Sequence, residues 1–330
     1  MEIHFDATAS LVAIPEFLAA TGLAPRQAHK ALTVWPLVQR TGATAAPAYV
    51  PLARALAAGW LELDEVGDEG SVPHARVVNR GGEAVLVLFG EELVGAKQDR
   101  IANASFLVPA ASEVVIDVSC VELGRWQRPN RERFTAGQAI LSSKLRRKMS
   151  ASVRKARAAG QGFHADQGEV WDEVAARVGF SRADAPTEAY ADYRRSRHGQ
   201  VEDVVRAFRP VPGQVGFVAA AGDEVLGLEA IGSPEVFAES FPRLLRGYAI
   251  DAVDAAFLRE HDPAARPGAA QPPPAPRFDA PEPFLAALGA APALASPSLG
   301  LGTDLRLAGP ELAGCALVAG GVVHLTAYPA

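Results

Sequence analysis

Cysteine and methionine are scarce, with two of each in 330 residues. Cys120 and Cys315 stand far apart, which excludes a disulfide framework and any CxxC metal spacing and points to a reducing, cytoplasmic setting. HxH, HExxH, DxD, Walker A and GxSxG patterns are also missing, so the commonest metallohydrolase, NTPase and serine hydrolase readings drop out, and no metal or cofactor is implied. No stretch approaches the roughly 18 uninterrupted apolar residues of a membrane span. The N-terminus MEIHFDATASLVAIPEFLAA has no basic residues ahead of its apolar part, so neither a secretory signal nor a membrane partner is expected. Aromatic residues are sparse at 7%.

What is present suits a globular chain. At 49% hydrophobic and 21% charged residues it can fill one large core or two smaller ones. A net charge of −6 argues against a chain that coats nucleic acid as a whole. The charge is uneven, however. Between Arg125 and Arg157 eleven basic residues face one acid, Glu132. Within that block Leu141, Leu145, Met149 and Val153 recur every four residues, the stripe of an amphipathic helix whose other faces are basic.

Residues 1–31 read as an arm with one short helix over Ile14–Thr21, and residues 32–330 as one domain. A strand is expected at Leu32–Gln39, with Pro36 favouring a sheet edge. A helix around Leu52–Ala57 is closed by Gly59, and Leu61 and Leu63 alternate with Glu62 and Asp64 in a strand. Arg76–Asn79 and Ala84–Phe89 flank Arg80-Gly81-Gly82-Glu83 as a hairpin would. Ile101–Val108 and Glu113–Val121 are further strands. In the second, Val114, Ile116 and Val118 share a face that carries Cys120 and Glu122 with them. Helices follow at Glu169–Val178, from Thr187 through Tyr190 and Tyr193, and at Glu202–Phe208. A hairpin spans Val215–Ile231, a long helix runs from Pro234 to about Glu260, and a last hairpin covers Cys315–Ala327. Asp262–Pro283 is rich in proline and alanine and is expected to be a disordered surface insertion. The fold class is therefore α+β: a mixed or antiparallel β core built from N- and C-terminal strands, with helices from the middle of the chain packed on it.

Chemistry concentrates between Val85 and Trp126. Glu91 and Glu92 are either a solvated turn or carry one general acid/base; neighbours on a strand face opposite ways, so only one can serve a given site. Lys97, Gln98 and Arg100 offer a point charge, an amide and a planar fork, a set suited to phosphate or carboxylate, or else to salt bridges with nearby acids. Gly90 and Gly95 permit close turns. Cys120 is a packed small hydrophobe unless a nearby cation lowers its pKa to make a nucleophile. Glu122 is a second acid/base candidate or an ion-pair partner of Arg125, and Trp126 either stacks a ring or fills the core. Of the seven histidines, His164 and His324 fall in ordered segments.

The motifs GEELVGAKQDRIANASFLVP, VSCVELGRW, TVWPL, ADQGEVWDEV, GQVGFVAAAGDEVLGLEAIGSPEVFAESFPRLLRGYAIDA and GCALVAGGVVHLTAY occur in an ordered series. In this the chain resembles the ARG and Rhodanese-Phosphatase-superfamily-associated Protein domain, where ARG stands for ADP-ribosylglycohydrolase. The resemblance runs from about Leu32 to Tyr328. It implies an α+β domain and a role with ADP-ribose- or nucleotide-related metabolites, resting on association with other enzymes. The family motif falls on Gly90, Glu91, Glu92, Gly95, Lys97, Gln98, Arg100, Cys120, Glu122, Arg125 and Trp126. Asp99 and Ala96 depart from it, where asparagine and glycine are more usual.

Two readings follow. The first is an enzyme, or degenerate enzyme, acting on a small phosphate-bearing nucleotide derivative. Glu122, Glu91 and Cys120 would be its catalytic groups, and Glu92, Gly95, Lys97, Gln98, Arg100, Arg125 and Trp126 would hold the ligand. The second is a scaffold whose basic segment, residues 125–157, docks an acidic protein or, less favoured, RNA. The sequence leaves the oligomeric state open.

Overall fold

The computed structural model describes residues 7–40, 49–67, 70–124, 133–181, 188–261 and 278–330. The chain begins with α1 (Ala7–Ala19), β1 (Thr21–Leu23), β2 (Gln27–His29) and β3 (Leu32–Gln39). The expected arm is thus mostly regular structure. α1 starts seven residues before Ile14 and buries Ala13 and Ile14, and β1 and β2 both pair with β3. Strand β3 is therefore interior, pairing on its other side with a strand at residues 214–221, and the edge placement drawn from Pro36 is corrected. The carbonyl of Pro36 accepts from Ala24 N–H, so the missing N–H of Pro36 faces the same side, where β1 has ended and β2 has not begun. The proline costs no ladder bond there.

Next come β4 (Tyr49–Pro51), α2 (Leu52–Ala57), β5 (Leu61–Glu65), β6 (His74–Asn79), β7 (Ala84–Val87), β8 (Glu91–Gly95), β9 (Arg100–Ala102), β10 (Phe106–Val108), β11 (Ser112–Cys120) and β12 (Phe134–Ile140). The expected β6–β7 hairpin does not form. β6 pairs with β5 and β11, whereas β7 pairs with β10 and, in parallel, with β4. The turn is diverted by Asn79, whose amide donates to the Glu83 and Pro109 carbonyls and accepts from Gly81 N–H. Gly81 lies flat on Trp60, where a Cβ would come within 2.2 Å of the ring. Likewise Ile101–Val108 is not one strand: β9 and β10 belong to different sheets.

The rest comprises α3 (Ser143–Ala158), α4 (Gln167–Ser181), α5 (Tyr190–Val205), β13 (Gln214–Ala221), β14 (Glu224–Ile231), α6 (Pro234–His261), α7 (Pro281–Gly289), β15 (Ala293–Pro297), β16 (Thr303–Ala308), β17 (Leu312–Val318) and β18 (Val322–Pro329). The helix expected at Glu202–Phe208 is the end of α5, since nothing between the two stretches breaks the helix. Residues 262–277 of the expected insertion lie outside the described residues. Its last part is ordered: Phe278 is buried against Phe284, and Pro281 opens α7, where a missing N–H is harmless.

A nine-stranded sheet runs β1-β3-β13-β14-β18-β17-β16-β15, with β2 beside β3. It is built from both ends of the chain, as an α+β core of N- and C-terminal strands requires. The middle of the chain adds more than helices, however: β12-β8-β9-β11-β6-β5 form a second sheet and β10-β7-β4 a third. Except for β4–β7, all pairings are antiparallel. The main core lies between the large sheet and α3–α6, with α6 at its centre through Phe237, Phe241, Leu244 and Tyr248. A second core fills the six-stranded sheet, and a third lies under α1 and α7 on the far face of the large sheet.

Candidate functional site

The turn from Gly95 to Arg100 and the end of β11 do converge, as the strand pattern suggested, but they close on each other. Gly95, at φ +117, donates its N–H to Asp99 Oδ1 at 2.9 Å. Asp99 N–H donates to Glu122 Oε2 at 3.1 Å, and Gln98 Nε2 donates to the Glu122 carbonyl at 2.8 Å. The Cys120 thiol donates to Gln98 Oε1 at 3.0 Å. Arg100, wholly buried, forks onto both Glu65 oxygens at 3.3 and 3.2 Å, and Lys97 N–H also reaches Glu65 at 3.2 Å. Ala96 adopts φ +46, the left-handed region that favours glycine.

These contacts tie the expected site residues into the fold. Gln98, Cys120 and Glu122 turn their polar groups on backbone and on one another, and Arg100 turns its guanidinium on Glu65 and the Ser71 carbonyl, because burial makes an unsatisfied donor or acceptor costly. Burial pushes the Cys120 thiol up to about 11, against the pull of Arg100, which disfavours the thiolate. The knot also anchors α5: Glu122 bridges to Ala189, and Tyr190 N–H donates to the Val121 carbonyl at 2.8 Å. Arg125 and Trp126 lie outside the described residues.

Glu91 and Glu92 are not a solvated turn. Both are buried in β8, and each faces an arginine on a different helix. Glu91 accepts from Leu88 N–H at 2.9 Å and pairs with Arg243 of α6 at 2.6 Å. Glu92 Oε2 lies 3.0 Å from Arg194 of α5, off the line of a hydrogen bond, and is otherwise buried without a hydrogen-bonding partner. Burial pushes its carboxyl up to about 7, although Arg194 pulls it down.

Gly137, on the adjacent β12, packs directly against this side chain. A Cβ there would come within 2.4 Å of Glu92 Cβ and 2.6 Å of Oε2. The register of β12 on β8 also shifts between Ala136 and Ile140, which bends the strand away from its partner. Between β12 and the first half of α5 runs a cleft of about 480 Å³, its walls including Thr135, Gly137 and Gln138 on one side and Arg194, Arg195 and His198 on the other. It narrows into a crevice reached by Tyr190 and the Glu202–Arg246 ion pair at 2.6 Å. Arg195 is mostly exposed and Arg194 partly so. The cleft thus presents cationic donors, and the Glu92 carboxyl lies buried behind two of its lining residues, Gly137 and Arg194. Reading the sequence singled out Glu92 but missed Arg194, Arg195 and His198, since a helix rich in charge carries no motif.

A second set of polar groups also escaped the sequence. Ser105 Oγ, accepting from Phe89 N–H, lies 2.6 Å from His324 Nδ1, and His324 Nε2 lies 2.6 Å from Glu229 Oε1. Arg146 and Tyr248 donate to Glu229 Oε2 at 2.6 and 3.0 Å. Burial alone would raise the Glu229 carboxyl, but the Arg146 charge and the His324 hydrogen bond hold it below the ordinary range. The series resembles a nucleophile relay, yet Arg146, Glu229 and His324 are wholly buried and Ser105 nearly so. It cross-links α3, β14, β18 and the β9–β10 connection. It also explains Gly90: at φ +79 that residue crosses the Arg146 stem, where a Cβ would approach to 2.3 Å.

The basic block is likewise engaged within the fold. Besides Arg146, Lys148 pairs with Glu173, Arg147 reaches the Pro329 carbonyl at 3.3 Å, and Arg157 the Pro297 carbonyl at 3.2 Å while stacking on Phe163. No helix among the described residues is long and apolar enough to cross a membrane.

The family model of the ARG and Rhodanese-Phosphatase-superfamily-associated Protein domain matches residues 22–328, nearly the whole chain. The chain belongs to that family. No curated protein and no solved structure matches it. The match begins at Gly22, inside β1, and takes in β2 and most of β1, the strands that pair with β3. In this structure Gly90, Gln98, Arg100 and Cys120 are packed within the fold, and Glu92 lies behind the cleft wall.

Proposed function

We propose that the β12–α5 cleft binds a phosphate-bearing nucleotide derivative of the ADP-ribose type. Arg194, Arg195 and His198 are its anion contacts, and Glu92 is the group that gives or takes a proton. One observation carries this reading: a buried carboxyl lies directly behind the wall of an open cleft, packed against Gly137 and beside Arg194, both of which line that cleft. Arginine forks suit phosphate oxygens, and a carboxyl that ionises near neutrality suits general acid/base work. The family name supports the substrate class by association with ADP-ribosylglycohydrolase and the phosphatase superfamily. Compared with the roles expected from sequence, the acid/base part passes from Glu122 and Glu91 to Glu92. Docking of RNA or an acidic protein on the basic segment is less favoured, since several of its cations already have partners within the chain.

The test is calorimetric titration of the full chain with ADP-ribose, AMP and pyrophosphate, beside Arg194→Ala, with products followed by chromatography. Saturating ligand should raise the melting temperature, since at a hundred times Kd binding adds about 2.7 kcal/mol. Arg194→Ala should weaken binding at least tenfold. Absence of binding by all three compounds at millimolar concentration would refute the assignment.

A further inference from the structure

A second group of side chains stands apart from the cleft and shares no residue with it. His74 opens β6, Asp117 lies directly opposite it on β11, and His164 comes from the connection between α3 and α4. One ligand atom from each lies within 4.8 Å of the others. We propose that His74, Asp117 and His164 bind a divalent transition-metal ion.

Several details prepare the three side chains for this. The Nδ1 of His74 is 2.9 Å from Ser71 Oγ, which leaves Nε2 directed at Asp117 Oδ1, 3.4 Å away. An outer hydrogen bond of this kind fixes the ring and frees the other nitrogen for a metal. Asp117 Oδ2 is taken by Phe163 N–H at 2.6 Å, so the carboxylate is held in place while Oδ1 remains for the ion. Gly162, at φ +72, makes the turn that brings Phe163 and His164 over the sheet, and a Cβ there would come within 3.0 Å of Asp117 Oδ2.

Two imidazoles and one carboxylate are the donors of borderline divalent ions such as zinc, cobalt and iron, whereas magnesium and calcium favour oxygen alone. Ligands bonded at about 2.1 Å stand at most about 4.2 Å apart. His164 is exposed and closes the remaining gap by rotating its side chain. Asp117 is buried, His74 half-buried and His164 exposed, so water or a small ligand can complete the coordination from the open side.

The full chain, stripped with chelator, is titrated with zinc in a calorimeter and with cobalt in an absorption spectrometer. The expected result is one equivalent of either ion, visible cobalt d–d bands, and at least a hundredfold loss of affinity in His164→Ala. Ser71→Ala should lose about tenfold, as changes in outer hydrogen bonds do. His29→Ala should bind like the unaltered chain. Because His164 lies on the surface, its variant keeps the test valid if His74→Ala does not fold. No zinc binding below about 1 mM, or equal binding by the His164→Ala chain, would overturn the proposal and leave an ordinary His74–Asp117 ion pair.

Discussion

Replacing Glu92 by glutamine should change how stability depends on pH. An unfolded glutamate ionises near 4.5, whereas burial carries the folded carboxyl up to about 7. Below the lower value both states hold the proton and no difference exists. As pH rises between the two, the unfolded chain releases its proton and the folded chain does not, so stability falls steadily and then levels off. At about 1.4 kcal/mol per tenfold change in proton concentration, the fall is roughly 3 kcal/mol. The glutamine variant lacks this slope, and all other titrating groups are common to both proteins. Its stability relative to the parent should therefore climb by that amount between pH 4.5 and 8. With an unfolding entropy of about 2.1 cal/mol/K per residue, a cooperative melt of the 330-residue chain moves by roughly 4–5 °C. Melting curves of both proteins across that range provide the measurement. A constant difference between them would mean that Glu92 titrates as an ordinary glutamate, and the proton-handling role would fall with it.

Two further outcomes follow from the buried groups. Glu229→Gln leaves the Arg146 charge without its counter-ion at a site closed to water, so it should cost about 3–5 kcal/mol in urea unfolding, and adding Arg146→Met should recover part of the loss. Burial raises the thiols of Cys120 and Cys315 to about 11 and about 12, so neither should react with a disulfide reagent at pH 8 until the chain is denatured, when both should. Rapid labelling of native Cys120 would restore it as a candidate nucleophile.

Most of the elements and the class of fold were legible in the residue pattern. Period-two rows gave β5 and β11, apolar runs around short turns gave the β13–β14 and β17–β18 hairpins, the four-residue stripe gave α3, and Pro234 gave the start of α6. These are local signals, set by which side of a strand or helix meets water. Several strands nevertheless had no such signal. β7, β10, β13 and β18 are buried on both faces and read as plain apolar runs, so their partners could not be inferred from alternation.

Tertiary structure alone decided which polar groups are structural and which border open space. Glu91 and Glu92 are neighbours in one motif, yet one pairs with α6 and the other with α5 at a cleft. Gln98, Cys120 and Glu122 met as expected, but packed so closely that they satisfy one another. Arg146 sits in a run of basic residues and is the one among Lys144, Arg146, Arg147 and Lys148 drawn wholly inside, by Glu229. The physical reason is the same in each case. A charged side chain's role depends on the partner and the water it finds after folding, and both come from residues far along the chain.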